Sequence, residues 1–139
     1  MRLMTVELFS PAGMFQPVPY HHVSVASGSR FVSVAGQISR DEHANRLFPG
    51  DLASQLAQAL RNTSTGLAGA GASFRDVVRL RFFVAGWQPE MYDDFIAGLE
   101  SVMEELDIPR PLPPLSVIGI DYLFEPDVMV EVEADAILD

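Results

Sequence analysis

Cysteine and lysine are both absent from this chain of 139 residues. Without cysteine there is no disulfide, no thiolate metal site and no thiol nucleophile, and the composition fits a reducing cytoplasm. Without lysine, no side chain can form a Schiff base. All nine basic residues are arginines, a bias that genomic base composition accounts for without a functional cause. Against them stand 19 acidic residues, giving a formal net charge of −10. Phosphate-tracking surfaces need an excess of Lys and Arg to displace counterions, so no nucleic-acid partner is expected. The three histidines show no His-x-x-x-His or similar spacing, so no metal is expected either. Nucleotide-binding glycine motifs are missing, and Ser33, Ser39 and Ser116 lack a nucleophile-elbow context. No apolar run approaches membrane-spanning length, and the opening Met-Arg-Leu-Met-Thr-Val-Glu lacks the apolar core of a signal peptide. The expectation is a cytoplasmic protein with no membrane partner.

What is present is a globular composition. Hydrophobic residues make up 48%, which suffices for one domain over residues 1–139 with its own core. Residues 1–19 read as irregular, with Pro11, Gly13, Pro17 and Pro19 as breakers and a short strand near Thr5. Two β-rich runs, from Tyr20 and from Phe31, flank a Gly/Ser turn and predict a hairpin. Gly36 suggests a bulge or a close backbone approach. Residues 39–50 are polar and predict a loop. Asp51 is placed to cap a helix whose apolar positions run from Leu52 to Leu67 at spacings of three and four, with Gly69 or Gly71 at its end. An alternating strand follows, with Val78, Leu80, Phe82 and Val84 on one face and Arg79 and Arg81 on the other. Pro89 opens a second helix carrying Met91, Phe95, Leu99, Val102 and Leu106. A Pro-rich entry from Pro109 leads to an apolar run, a turn near Pro126 and a last strand. There Val128, Val130, Val132 and Ala134 share one face, while Met129, Glu131, Glu133 and Asp135 share the other. The order β-β-α-β-α-β-β predicts an α+β fold with two helices on one face of a mixed sheet.

Five segments together carry a family resemblance: Pro19-Tyr20, Ser33-Val34-Ala35-Gly36-Gln37, Gly50-Asp51 with Gln55 and Ala59-Leu60-Arg61-Asn62, Gly71 to Arg79, and Val130-Glu131-Val132-Glu133-Ala134. In order and spacing they resemble the Rid family, the RidA/YjgF-like reactive-intermediate deaminases, some of which carry an endoribonuclease label. The resemblance implies a chorismate-mutase-like (YjgF-like) α+β fold and a homotrimer with ligand clefts between subunits. It also implies hydrolysis of small enamines or imines to keto acids and ammonia, with no cofactor.

Residue by residue, the resemblance assigns catalysis to Glu131, which would orient or activate water. Tyr20, Gly36 and Gln37 match substrate-binding positions, and His22 stands beside Tyr20 where the family often has a polar residue. The serine before Gly36 is here Ala35. The arginine that clamps the substrate carboxylate falls at Leu115, and a leucine supplies none of a guanidinium's paired, charge-assisted hydrogen bonds. Arg110, five residues upstream, is the candidate replacement; the alternative is a solvated residue after a helix stop. For Glu131 the alternative is a sheet-face acid paired with Arg79 or Arg81. His21 and His22, adjacent on a strand, point to opposite faces and cannot share one cleft. Trp87 and Phe95 read as closing a strand–helix corner. Two functions follow: a deaminase-type water addition with a non-standard site, or a non-catalytic module binding a small molecule on the same scaffold. The acidic charge argues against the family's ribonuclease label.

Overall fold

The computed structural model describes residues 5–139. The strand expected near Thr5 is β1 (Val6–Phe9), and β2 (Val23–Ala26), β3 (Arg30–Gln37), α1 (Leu52–Gly69), β4 (Val77–Ala85), α2 (Tyr92–Met103), β5 (Leu115–Ile120) and β6 (Val130–Leu138) follow. β3, β6, β4 and β5 lie in that order in one sheet, while β1 and β2 form a separate two-stranded ribbon. β6 runs antiparallel to both β3 and β4, and β5 runs parallel to β4, so the sheet is mixed.

The local signals become local structure. The Asp51 carboxylate accepts a hydrogen bond from the Ser54 amide at 3.0 Å, capping α1. At the other end Gly71 takes φ +80°, and the Ala72 amide donates to the Leu67 carbonyl at 2.9 Å. That left-handed turn closes a helix cheaply only with glycine. The stripe Leu52, Leu56, Ala59, Leu60, Thr63, Leu67 is buried, as are Phe95, Leu99 and Val102 of α2. Both stripes pack on Leu80, Phe82 and Val84 of β4 and Val130, Val132 and Ala134 of β6. The two helices approach so closely that a side chain at Gly98 would reach to 2.9 Å from the Ala53 Cα.

Two expectations are corrected. The runs before and after the Gly/Ser turn do not form a hairpin. β2 pairs with β1, Val6 opposite Ala26, and β3 pairs with β6, Arg30 opposite Leu138. The connecting Gly28 lies directly against the Leu138 carbonyl, where any side chain would collide, so the link is committed to the end of β6 rather than to a tight turn. On β4, Val77 rather than Val78 enters the core, because the register with β6 shifts between Val77 and Arg79. One inserted residue changes the face of everything before it.

Buried Gln55 ties three backbone segments together. Its amide nitrogen donates to the carbonyls of Phe48 (3.2 Å) and Asp127 (2.9 Å), and its oxygen accepts from the Met129 amide (2.9 Å). Just outside, Arg40 bonds Asp127 at 2.7 Å and Glu125 at 2.9 Å, and Arg46 bonds Glu125 at 2.7 Å. The polar loop at 39–50 is thus fastened to the turn that precedes β6. No helix among the described residues is long and apolar enough to cross a membrane.

Candidate functional site

Of the residues singled out by sequence, Tyr20 and Leu115 lie on the helix side of the sheet and Glu131 on the other. Leu115 is opposite Leu80 in the parallel pairing of β4 and β5, so both side chains point to the helix side. Here, between the β5 edge, the start of α2 and the segment 15–20, lies a groove of about 420 Å³. Tyr20 and Leu115 line it together with Phe15, Trp87, Phe95 and Val117.

The segment carrying Tyr20 is held as a strap over this groove. The His21 amide donates to the Leu112 carbonyl at 2.7 Å, and the Leu112 amide donates to the Pro19 carbonyl at 2.9 Å. The two Pro-rich segments are thereby zipped side by side. An imidazole nitrogen of His22 bonds the Phe15 carbonyl at 2.7 Å, and the ring stands edge-on to Tyr20 with centroids 5.2 Å apart. His22 is therefore a buttress of the strap and of Tyr20. Trp87 packs edge-on to Phe95, as expected of a strand–helix corner, yet both rings also face the groove.

Glu131 belongs to the other side. Its β6 neighbours Val130 and Val132 enter the core, so Glu131 projects from the face the helices leave open. It lies opposite Phe83, not an arginine. Arg81 reaches Asp135 at 3.1 Å and Glu133 at 4.0 Å, and Arg79 donates to the Ser116 hydroxyl at 2.6 Å. The two arginines of this face thus leave Glu131 alone: among the described residues its carboxylate has no hydrogen-bond or ion-pair partner. Partial burial, and then the negative charge of Glu133, push the Glu131 carboxyl above its ordinary value.

Gly36 explains how that carboxylate fits. The β3–β6 register breaks between Val34 and Gln37, and the Glu131 side chain lies over the glycine, where any Cβ would overlap its carboxylate. Gly36→Ala is expected to leave the fold intact, because the overlapping group is the tip of a flexible side chain. The same change should displace Glu131 and cut any activity that depends on it; a melting curve and an assay on one preparation check both halves. Gln37 bends back to donate to the Ala35 carbonyl at 3.0 Å and borders a shallow polar hollow with Ile38, Asn62 and Thr65. Arg110 lies in neither group: it pairs with Glu100 at 2.7 Å beside Pro19 and Leu112, outside the groove. No group of three or more His, Asp or Glu side chains among the described residues is placed to hold a metal ion.

Comparison with known proteins places this architecture. A family model described as endoribonuclease L-PSP matches residues 15–138. The chain belongs to this family, the Rid family. A Rid protein of unknown function from Yersinia pestis shares 30% identity at a TM-score of 0.86, over 97% of this chain and all of that one. The TdcF protein of E. coli, solved with bound serine, shares 24% identity at a TM-score of 0.67, over 94% of each chain, and supports the fold alone. The 2-iminobutanoate/2-iminopropanoate deaminase of Rattus norvegicus is 34% identical over 74 residues, half of this Rid chain. That match spans 54% of the rat protein. A RutC family protein of Pyrococcus horikoshii is 26% identical over 87% of this chain and 89% of its own length.

Sequence reasoning did not find Phe15, Tyr92, Ile96 and Val117 as groove residues. For Tyr92, Ile96 and Val117 the signal open to it was their excess, apolar side chains on α2 and β5 beyond the stripe that the core needs.

Proposed function

We propose that this Rid chain hydrolyses a small imine or enamine in clefts that neighbouring copies complete, as a cytoplasmic homotrimer without a cofactor. The observation that carries the reading is Glu131, a partly buried carboxylate with no partner among the described residues, seated on a glycine and raised above its ordinary value by burial. Such a group binds a water molecule and takes its proton as the oxygen adds to the C=N carbon. The proton passes from Glu131 to the imine nitrogen, giving a carbinolamine; as its hydroxyl proton moves to nitrogen the C–N bond breaks, the carbonyl forms and ammonia leaves. Tyr20, Gly36 and Gln37 are the proposed substrate contacts, with Leu115 as apolar wall. His22 holds Tyr20 rather than the substrate, and Arg110, already paired, does not take the clamp role.

Two further points support the reading. The rat relative's name states the reaction class, although the match covers only part of it. Glu131 and the Tyr20–Leu115 groove also lie on opposite sides of the sheet, so one cleft holding both requires a second chain. Against ribonuclease action stand the net charge of −10 and the engagement of Arg40, Arg46, Arg61, Arg75, Arg81 and Arg110 in ion pairs. Leu115 favours one second reading, a non-catalytic binding module. The test generates imines in place, 2-imino acids with an amino-acid oxidase and carboxylate-free imines with an amine oxidase, and traps them with semicarbazide. Slower formation of semicarbazone, with more free carbonyl product, is expected for at least one set. No diversion of either set by the folded protein leaves only the binding module.

A further inference from the structure

We infer that the groove beside Leu115 selects an aromatic ligand that carries no carboxylate. The inference rests on reading this groove as one half of the ligand cleft, and it specifies what the cleft accepts.

None of the twelve residues lining the groove bears a formal charge, and five of them are aromatic: Phe15, Tyr20, Trp87, Tyr92 and Phe95. A carboxylate placed here would lose water and gain no cation, the most costly way to bury a charge. Arg110 cannot supply the cation without breaking its 2.7 Å pair with Glu100. The other half-site adds Glu131, a negative charge, and the whole chain stands at −10. The uncharged wall and the net charge of the chain therefore disfavour an anion in this groove.

A flat ring finds the reverse situation. Trp87 is held perpendicular to Phe95, their planes at 89°, and Phe95 is in turn edge-on to the core ring of Phe82. The wall is rigid, and edge-to-face and offset contacts with a further ring are available. At the mouth, Phe15 is 75% exposed, Tyr92 52% and Val117 40%, apolar area that a ligand would cover. The Tyr20 and Tyr92 hydroxyls and the Trp87 indole N–H make no hydrogen bond among the described residues, so polar groups are free to hold an imine nitrogen or a carbonyl oxygen. About 420 Å³ is more than a three-carbon imino acid fills and suits a phenylalkyl group.

Trp87 is the sole tryptophan, so its emission reports on this groove directly. The intact protein, in whatever assembly it forms, is titrated with phenylacetamide and with phenylacetate, which share a shape and differ in charge. Phenylacetamide is expected to perturb Trp87 and saturate, and phenylacetate to bind at least about tenfold more weakly. Leu115→Arg, which puts a guanidinium into the wall, is expected to reverse that order. Tyr92→Ala, at an exposed position, should weaken phenylacetamide severalfold without unfolding the chain, so a decision does not depend on the arginine variant folding. The inference is overturned if phenylacetate binds the wild type as tightly as the amide, or if neither probe perturbs Trp87. An absence of imine hydrolysis alongside a retained preference for the amide would remove the proposed reaction and leave the ligand class standing. Hydrolysis without that preference would do the opposite.

Discussion

Glu131→Gln is expected to lower imine hydrolysis by about 10²–10⁴-fold, the usual contribution of a positioned general base. Glutamine keeps the shape over Gly36 and keeps a hydrogen-bonding oxygen, but it cannot take a proton from water. The pH dependence follows from the environment. Burial and the neighbouring Glu133 raise the carboxyl above its ordinary value, and the base form is the ionised one. Activity should therefore rise with pH through a midpoint above that of an unperturbed glutamate, and the glutamine variant should lose that limb. Stability moves the other way. A carboxyl whose folded value is raised favours the fold below the unfolded value, and that contribution is lost as pH rises through the folded one. At neutral pH the variant should melt no lower than the wild type. Wild-type turnover in the variant would remove Glu131 from the mechanism, and a marked drop in melting temperature would make it a structural residue.

Gln55→Leu should cost about 2 kcal/mol or more of folding stability, because it removes three hydrogen bonds to the backbone and leaves two groups without a partner. Leucine fills similar space, so the loss is of hydrogen bonds rather than of volume. The Asp127 carbonyl and the Met129 amide would be left facing an apolar side chain, each at the cost of an unmet polar group, while the Phe48 carbonyl would keep only the Asp51 amide at 3.2 Å. Arg40, largely buried against Asp127, and the more exposed Arg46 would be left to hold the turn at 125–127 to the loop without this inner tie. Urea denaturation measures the difference. A cost below about 1 kcal/mol would mean that the freed groups reach water, and that the loop is not built around Gln55.

How much of this was legible in the sequence depends on the range over which each feature is decided. α1 was readable from Asp51 to Gly71, because caps and a repeating apolar stripe are local statements. The two faces of β6 were readable for the same reason. The partner of β2 was not: a Gly/Ser turn between two β-rich runs looks like a hairpin until Gly28 is found against the far end of the chain. The loneliness of Glu131 was not readable either. The pairing register of β4 with β6 decides which acid lies opposite Arg81, and nothing within β4 announces it. The groove was half legible. Tyr20 and Leu115 were marked by resemblance, whereas Phe15, Tyr92 and Val117 come from three separate elements. In a sequence an apolar residue looks the same whether it faces a core or a cavity. The sequence marks Gly36 as a point of close approach, and only the structure shows that the approaching group is the carboxylate of Glu131.

The placement of Glu131 and Leu115 on opposite sides of one sheet has a consequence for inheritance. On the proposed reading, each cleft borrows one side from one chain and the other side from its neighbour. A chain damaged at Glu131 and a chain damaged in the groove would then be individually silent, yet together would rebuild an intact cleft at one of their shared boundaries. Two defective alleles could rescue one another, and one defective allele would spoil sites that its own sequence does not fully encode.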